Sequence, residues 1–174
     1  MLKEINIREL QVNPVTLFAE DWMALCAGNE TRGYNAMTVA WGHLGAIWES
    51  GNHSHRLPTA ICYVRPQRYT REFMDRETYF TLSRLPKEYK KALGILGTKS
   101  GRDGDKIKEA NLTPVFEDET TYFAEADLVL VCRKLYQAPL VESGFVDREI
   151  IEFNYSGDYH KMYVGEIVKT LIRE

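Results

Sequence analysis

The chain has 174 residues and a mass of 20.1 kDa, and 44% of its residues are hydrophobic. That is enough for one well-buried core and short for two, so a single domain over 1–174 is expected. A net charge of −3 and a pI near 5.9 supply no global cationic field, which argues against nucleic acid or a membrane surface as partner and means that any anion must be held by a local cluster.

The first residues, Met1 to Asn6, lack the apolar core of a signal peptide, and no run approaches the roughly 18 apolar residues of a membrane span, so a cytoplasmic location is expected. A short alternating piece around Ile5 and Ile7 precedes a Pro-led helical turn from Asn13, and Trp22 to Ala27 suits a buried strand. Turn residues fill Gly28 to Gly33. Asn35-Ala36-Met37-Thr38-Val39-Ala40-Trp41-Gly42 alternates large and small and ends on glycine, the pattern of a strand half exposed to a pocket. Thr59 to Val64 is a further strand. Pro66 breaks it, and Thr70 can cap a helix over Arg71 to Arg76.

Tyr79 to Ser83 reads as a strand, and Lys87 to Leu96 and Asp105 to Leu112 as amphipathic helices. Thr121 to Leu135 is strand-like, Asp147 to Phe153 forms a short helix, and Met162 to Leu171 closes the chain as a strand. About six or seven strands with short inserted helices suggest a mainly β protein closed as a small barrel. Cys26, Cys62 and Cys132 are odd in number, far apart and flanked by apolar residues, which favours reduced core thiols over a disulfide framework.

Chemistry concentrates in two stretches. Gly97-Thr98-Lys99-Ser100-Gly101-Arg102-Asp103 joins the two amphipathic helices and offers what wraps a phosphate: glycines for close approach, amides and hydroxyls as donors, and two cations. The alternative is a solvated connection between helices. Val64-Arg65-Pro66-Gln67-Arg68-Tyr69-Thr70 sets two arginines three apart at the end of an apolar strand; they suit a second anion contact or salt bridges to Glu72 or Asp75. Neither stretch is a Walker A loop, because Gly94 is too close and Thr98 separates Gly97 from Lys99, and no Gly-x-Gly-x-x-Gly follows a strand.

His53 and His55 lack further ligands at metal spacing, so a polar loop is expected there and no metal site. His160 either faces a ligand or is a satisfied structural histidine. Met37 and Trp41 suit either a flat apolar ligand or ordinary core.

Taken in order, Asn35 to Gly42, Val64 to Thr70, Gly97 to Asp103 and the segment Asp158-Tyr159-His160-Lys161-Met162-Tyr163-Val164-Gly165-Glu166 resemble the successive motifs of the flavin reductase-like family, closest to its flavoredoxin-type members. The resemblance runs nearly end to end. It implies a six-stranded Greek-key split barrel that binds FMN near the interface of a homodimer. It places Asn35, Met37, Thr38, Val39, Ala40 and Trp41 along the flavin ring, and Arg65, Arg68, Tyr69 and Thr70 at the ribityl and phosphate side. Lys99, Ser100, Gly101 and Arg102 complete the phosphate cradle, and His160 and Tyr163 approach from the closing strand. His160 is the one candidate for ordering or protonating the reduced flavin.

The activity implied is NAD(P)H-dependent hydride or electron transfer through FMN to a small-molecule or protein acceptor. The alternative is a noncatalytic electron carrier serving a protein partner. The connection from Glu49 to Arg56 is longer than is usual in the family, and either covers the mouth of the site or decorates the dimer surface.

Overall fold

The structure is a computed structural model and describes residues 1–49, 51 and 55–173. In chain order its strands are β1 (Leu2–Ile5), β2 (Met23–Asn29), β3 (Gly33–Val39), β4 (Gly42–Glu49), β5 (Arg56–Val64), β6 (Tyr79–Arg84), β7 (Pro114–Glu117), β8 (Thr120–Phe123), β9 (Leu128–Pro139) and β10 (Lys161–Arg173). Five short helices punctuate them: α1 (Pro14–Thr16), which runs on through a wide turn to Asp21, α2 (Thr70–Arg76), α3 (Lys90–Thr98), α4 (Lys106–Glu109) and α5 (Glu149–Asn154).

The protein is therefore mainly β with short helices, as expected. One antiparallel sheet runs β3-β2-β6-β9-β10-β5-β4, with β1 added to β10, while β7 and β8 form a separate hairpin. The main sheet has eight strands, against the six or seven read from the sequence, because two gave no clear local signal. Strand β4 is largely exposed and carries no alternating apolar pattern, and β1 is only four residues long. The strand expected over Asn35 to Gly42 in fact ends at Val39, and Gly42 opens β4. A Cβ at Gly42 would stand 2.3 Å from the Phe18 ring and 2.6 Å from the Ile61 carbonyl oxygen, so this glycine marks a close approach.

Strand β10 organises the curvature. Its residues 161–166 pair with β5, whereas residues 170–173 pair with β1. Register shifts at Val164/Gly165 and Ile167/Lys169 bend it between these two partners. Strand β2, buried along its whole length, separates two cores by its alternation. Met23, Leu25 and Ala27 enter an interior core with Phe80, Leu82, Leu130 and Tyr163. Ala24 and Cys26 enter an outer core with Leu93, Leu96, Ile107 and Phe123, which seats α3 and α4 against the sheet. All three cysteines are free and buried.

Helix boundaries shift in ways that matter for the site. The expected Lys87–Leu96 helix begins as a single 3₁₀ turn over Lys87–Tyr89, and α3 then runs on to Thr98, taking in the first two residues of the glycine-rich loop. The expected Asp105–Leu112 helix is reduced to α4, capped by the Asp105 side chain accepting from the Lys108 amide, and Asn111 turns left-handed at φ 57° just beyond it. Thr70 is not a capping residue: Tyr69 occupies the cap position without a side-chain bond, and the Thr70 hydroxyl accepts from Asn35 instead. No helix among the described residues is long and apolar enough to cross a membrane.

Candidate functional site

The C-terminal end of α3, the start of α4 and the start of α2 converge beside β3 around a cavity of about 320 Å³ lined by Arg65, Arg68, Tyr69, Thr70, Lys99, Ser100 and Lys106, among others. Its cations fall into two groups. Arg65 pairs with Asp158 and also donates to the Asn154 carbonyl at 2.8 Å, and Lys99 pairs with Glu109. Arg68 instead donates to the Gly97 carbonyl at 2.7 Å, and the Lys106 ammonium donates to the carbonyls of Leu96 and Lys99, both at 3.1 Å.

Among the described residues, Arg68 and Lys106 are thus held by main-chain carbonyls and have no carboxylate partner. Lys106 is only 4% exposed, and its burial, with Arg68 alongside, pulls its pKa down to about 8. A buried cation beside a second uncompensated one is costly by itself. An anion in the cavity they line would relieve that cost.

A second cavity, of about 220 Å³, adjoins the first through Met37, Arg65 and Arg68 and is walled by Thr38, Val39, Ala40, Trp41, Tyr63 and His160. Trp41 is 42% exposed and lies against the His160 ring at a centroid distance of 4.4 Å. β3 is an end strand of the sheet, so the polar backbone groups of its outer edge have no strand partner among the described residues. The combined groove is polar and cationic at one end and apolar and aromatic at the other. That distribution suits a flat ring system carrying a phosphate.

The flavin reductase like domain model matches residues 18–174. The chain belongs to the flavin reductase-like family. No curated protein matches it. Among solved structures it is similar in fold to an FMN-binding domain of a flavin reductases-like enzyme from Shewanella baltica, at 12% identity and a TM-score of 0.66 over 99% of this chain and 77% of that one. It is also similar to a flavoredoxin of Desulfovibrio vulgaris, at 18% identity and a TM-score of 0.65 over 99% and 76% of the two chains. An NADH:FAD oxidoreductase of Streptomyces globisporus gives 14% identity and a TM-score of 0.61 over 88% and 75%.

Within this flavin reductase-like chain the anticipated residues divide by position. Met37, Thr38, Val39, Ala40, Trp41, Arg65, Arg68, Tyr69, Thr70, Lys99, Ser100 and His160 line the groove. The Thr38 hydroxyl is already engaged with the Leu93 carbonyl at 2.5 Å, so it ties β3 to α3. Asn35 and Gly101 stand behind the groove as a wall. The Asn35 amide donates to Thr70 Oγ1 at 2.8 Å, and a Cβ at Gly101 would lie 2.4 Å from Asn35 Oδ1. Close packing against Asn35 therefore favours glycine at 101. Arg102 pairs with Glu72 and lies over the Tyr69 ring at 4.5 Å, outside the cavity lining.

Tyr163 does not line the groove. It is fully buried, and its hydroxyl donates to Asp75 Oδ1 at 2.6 Å, an oxygen that Lys161 also contacts at 2.7 Å. Tyr163→Phe should lower stability by ~1 kcal/mol, the usual net value of such a bond, while FMN affinity stays unchanged; urea denaturation and a flavin titration check the two halves.

His160 is buried and bonded at Nδ1 to the Tyr155 hydroxyl, 3.1 Å away. Burial, and then the charge of Arg65, lower its pKa to about 4. It is neutral near pH 7, which favours an ordering role over donation of a proton from an imidazolium.

Lys106, Gln67, Thr98 and Tyr63 also line the groove without having been anticipated. Lys106 was legible only as a polar residue at a helix start; its distance from Lys99 in sequence hid the fold of the loop back onto α3. His55 is exposed, and His53 lies outside the described residues. No group of three metal-ligating side chains occurs among the described residues.

Proposed function

We propose that the chain binds FMN in this groove and passes reducing equivalents from NAD(P)H through it to a small-molecule or protein acceptor. The observation that carries the reading is the Arg68 and Lys106 pair, two cations without a carboxylate partner among the described residues, at the polar end of a groove whose other end is walled by Met37 and Trp41. Arg68 and Lys106 would hold the phosphate, with Ser100 and Thr70 offering hydroxyls beside them. Met37 and Trp41 would flank the ring, and the free edge of β3 would offer backbone groups to its polar rim.

Bound FMN supplies hydride acceptance and release, so no side chain of this protein need act as a nucleophile. The protein orients the ring and shields one side of it from water. His160, hydrogen-bonded to Tyr155 and packed against Trp41, adds a neutral imidazole to the wall. We also propose a homodimer; the exposed Ile47, Trp48 and Tyr136 offer apolar surface for it. An electron-carrier role is the second reading, supported by the likeness in fold to a flavoredoxin.

Lys106 supplies a direct test. In the free protein it titrates at about 8, and a bound phosphate raises that value by stabilising the ammonium. FMN affinity is then greatest below pH 8 and falls as pH rises above it, with proton uptake on binding. Fluorescence titrations should show a loss of affinity approaching tenfold per pH unit over the steep part of the range, absent in Lys106→Met. A pH-independent affinity in the unsubstituted protein would place the phosphate away from Lys106.

A further inference from the structure

Next to the ring end of the groove, and sharing Ala40, Trp41 and Tyr63 with it, lies a cavity of about 540 Å³. Val15, Phe18, Phe145 and Ile150 are among its walls, and among the described residues no aspartate, glutamate, lysine or arginine lines it. Apolar surface of this extent beside a functional groove marks an interaction site.

Phe145 and Ile150 belong to the connection between β9 and β10, residues 140–160, whose ends are joined by the Leu140 amide donating to the His160 carbonyl at 2.8 Å. The groove side of this connection is fixed. Arg65 donates to the Asn154 carbonyl at 2.8 Å, pairs with Asp158 and lies 5.4 Å from the centre of the Tyr155 ring, while Tyr155 meets Trp41 edge-on at 6.5 Å. The outer side is bare. No residue of α5 is buried, Phe153 is 84% exposed and Val146 wholly so. Interleaved with these apolar residues are the exposed Glu142, Asp147, Glu149 and Glu152. The one cation within residues 141–153 is Arg148, and it pairs with Glu142. An apolar patch ringed by carboxylates and held on a fixed support has the anatomy of a protein-docking surface.

The charge selects the occupant. A second copy placed symmetrically on this patch would bring like charges together, and an anionic bilayer would be repelled. We propose that the 140–160 connection and the cavity beside it dock an electron-accepting protein whose basic rim surrounds an apolar patch. The proposal rests on the flavin reading, which makes the adjoining groove the source of the electrons. Lysines or arginines of the partner face Glu149 and Glu152, and an apolar side chain enters the cavity beside Trp41. Each hydride delivered by NAD(P)H yields two electrons, which reduce two one-electron centres of the partner, and one proton, which goes to solvent.

The test uses oxidised cytochrome c, a haem protein rimmed by lysines, as the probe, with binding to the flavin-free and the FMN-loaded protein followed by calorimetry. Both forms should bind it at low salt, because the surface is built without the flavin. Raising the ionic strength from about 20 to about 200 mM should weaken binding about tenfold. The double variant Glu149→Lys with Glu152→Lys should weaken low-salt binding about tenfold, and Phe153→Ser about threefold at every salt concentration. FMN affinity should stay within about twofold in both variants, which reports an intact fold. No binding of cytochrome c, binding indifferent to salt, or variants that bind as the parent does would overturn the docking surface. So would a parent dimer in sedimentation that dissociates in Phe153→Ser, which would assign the patch to a second copy. Failure of the parent to bind FMN would instead overturn the flavin reading, and with it the redox role of the partner, whatever the cytochrome c result.

Discussion

Arg68→Ala is expected to weaken FMN binding by ~2 to 3 kcal/mol, about 30- to 150-fold in Kd. The side chain has two duties that no neighbour can assume. It is one of the two groove cations with no carboxylate partner among the described residues, and it donates to the Gly97 carbonyl at 2.7 Å, holding the C-terminal end of α3. Removing it deletes a charge-assisted contact and releases that main-chain anchor together. Lys99→Ala should cost less, because Lys99 already shares its charge with Glu109. Calorimetric titration gives both values, and an Arg68→Ala affinity within threefold of the parent would show that the phosphate is held elsewhere.

Gly42→Ala is expected to lower folding stability by ~2 to 3 kcal/mol, a drop of roughly 5 to 10 °C in Tm for a chain of this size. The added methyl would meet the Phe18 ring at 2.3 Å and the Ile61 carbonyl oxygen at 2.6 Å. The ring can turn only within a filled core, and the carbonyl is fixed in the β4 and β5 ladder. Gly45→Ala in the same strand is the control, since nothing lies within 4 Å of its Cβ position, and it should change stability by no more than ~0.5 kcal/mol. Thermal denaturation of the two variants separates close packing at Gly42 from a general intolerance of side chains in β4.

What the sequence revealed and what it hid follow from how local each signal was. Strands β2, β5, β6 and β9 announced themselves because their apolar runs are buried, and the buried cysteines read correctly from their apolar flanks. Strand β4 did not, because an exposed edge needs no apolar alternation. The groove was legible where it is built from contiguous motifs, as at Met37 to Trp41 and Arg65 to Thr70.

Less legible was which residues pair with one another across the fold. Arg102 and Lys99 looked equivalent to Arg68 as cations, yet Glu72 and Glu109, on separate helices, neutralise the first two. Gly101 packs against Asn35, a contact that no local sequence pattern announces. Tyr163 sits three residues beyond the groove residue His160, on a strand that also sends Ile167 into the interior core, and Asp75 claims its hydroxyl there. Lys106 became visible as a groove residue only once α4 was folded back onto the carbonyl end of α3.

The most direct test of the central claim is an anaerobic absorbance titration of the FMN-loaded protein with NADH and then NADPH, following the blue band of oxidised flavin. Bleaching by at least one of the two nucleotides is the result predicted for a flavin reductase-like enzyme. A bound, spectrally perturbed flavin that neither nucleotide bleaches would contradict it and identify the chain as an electron carrier.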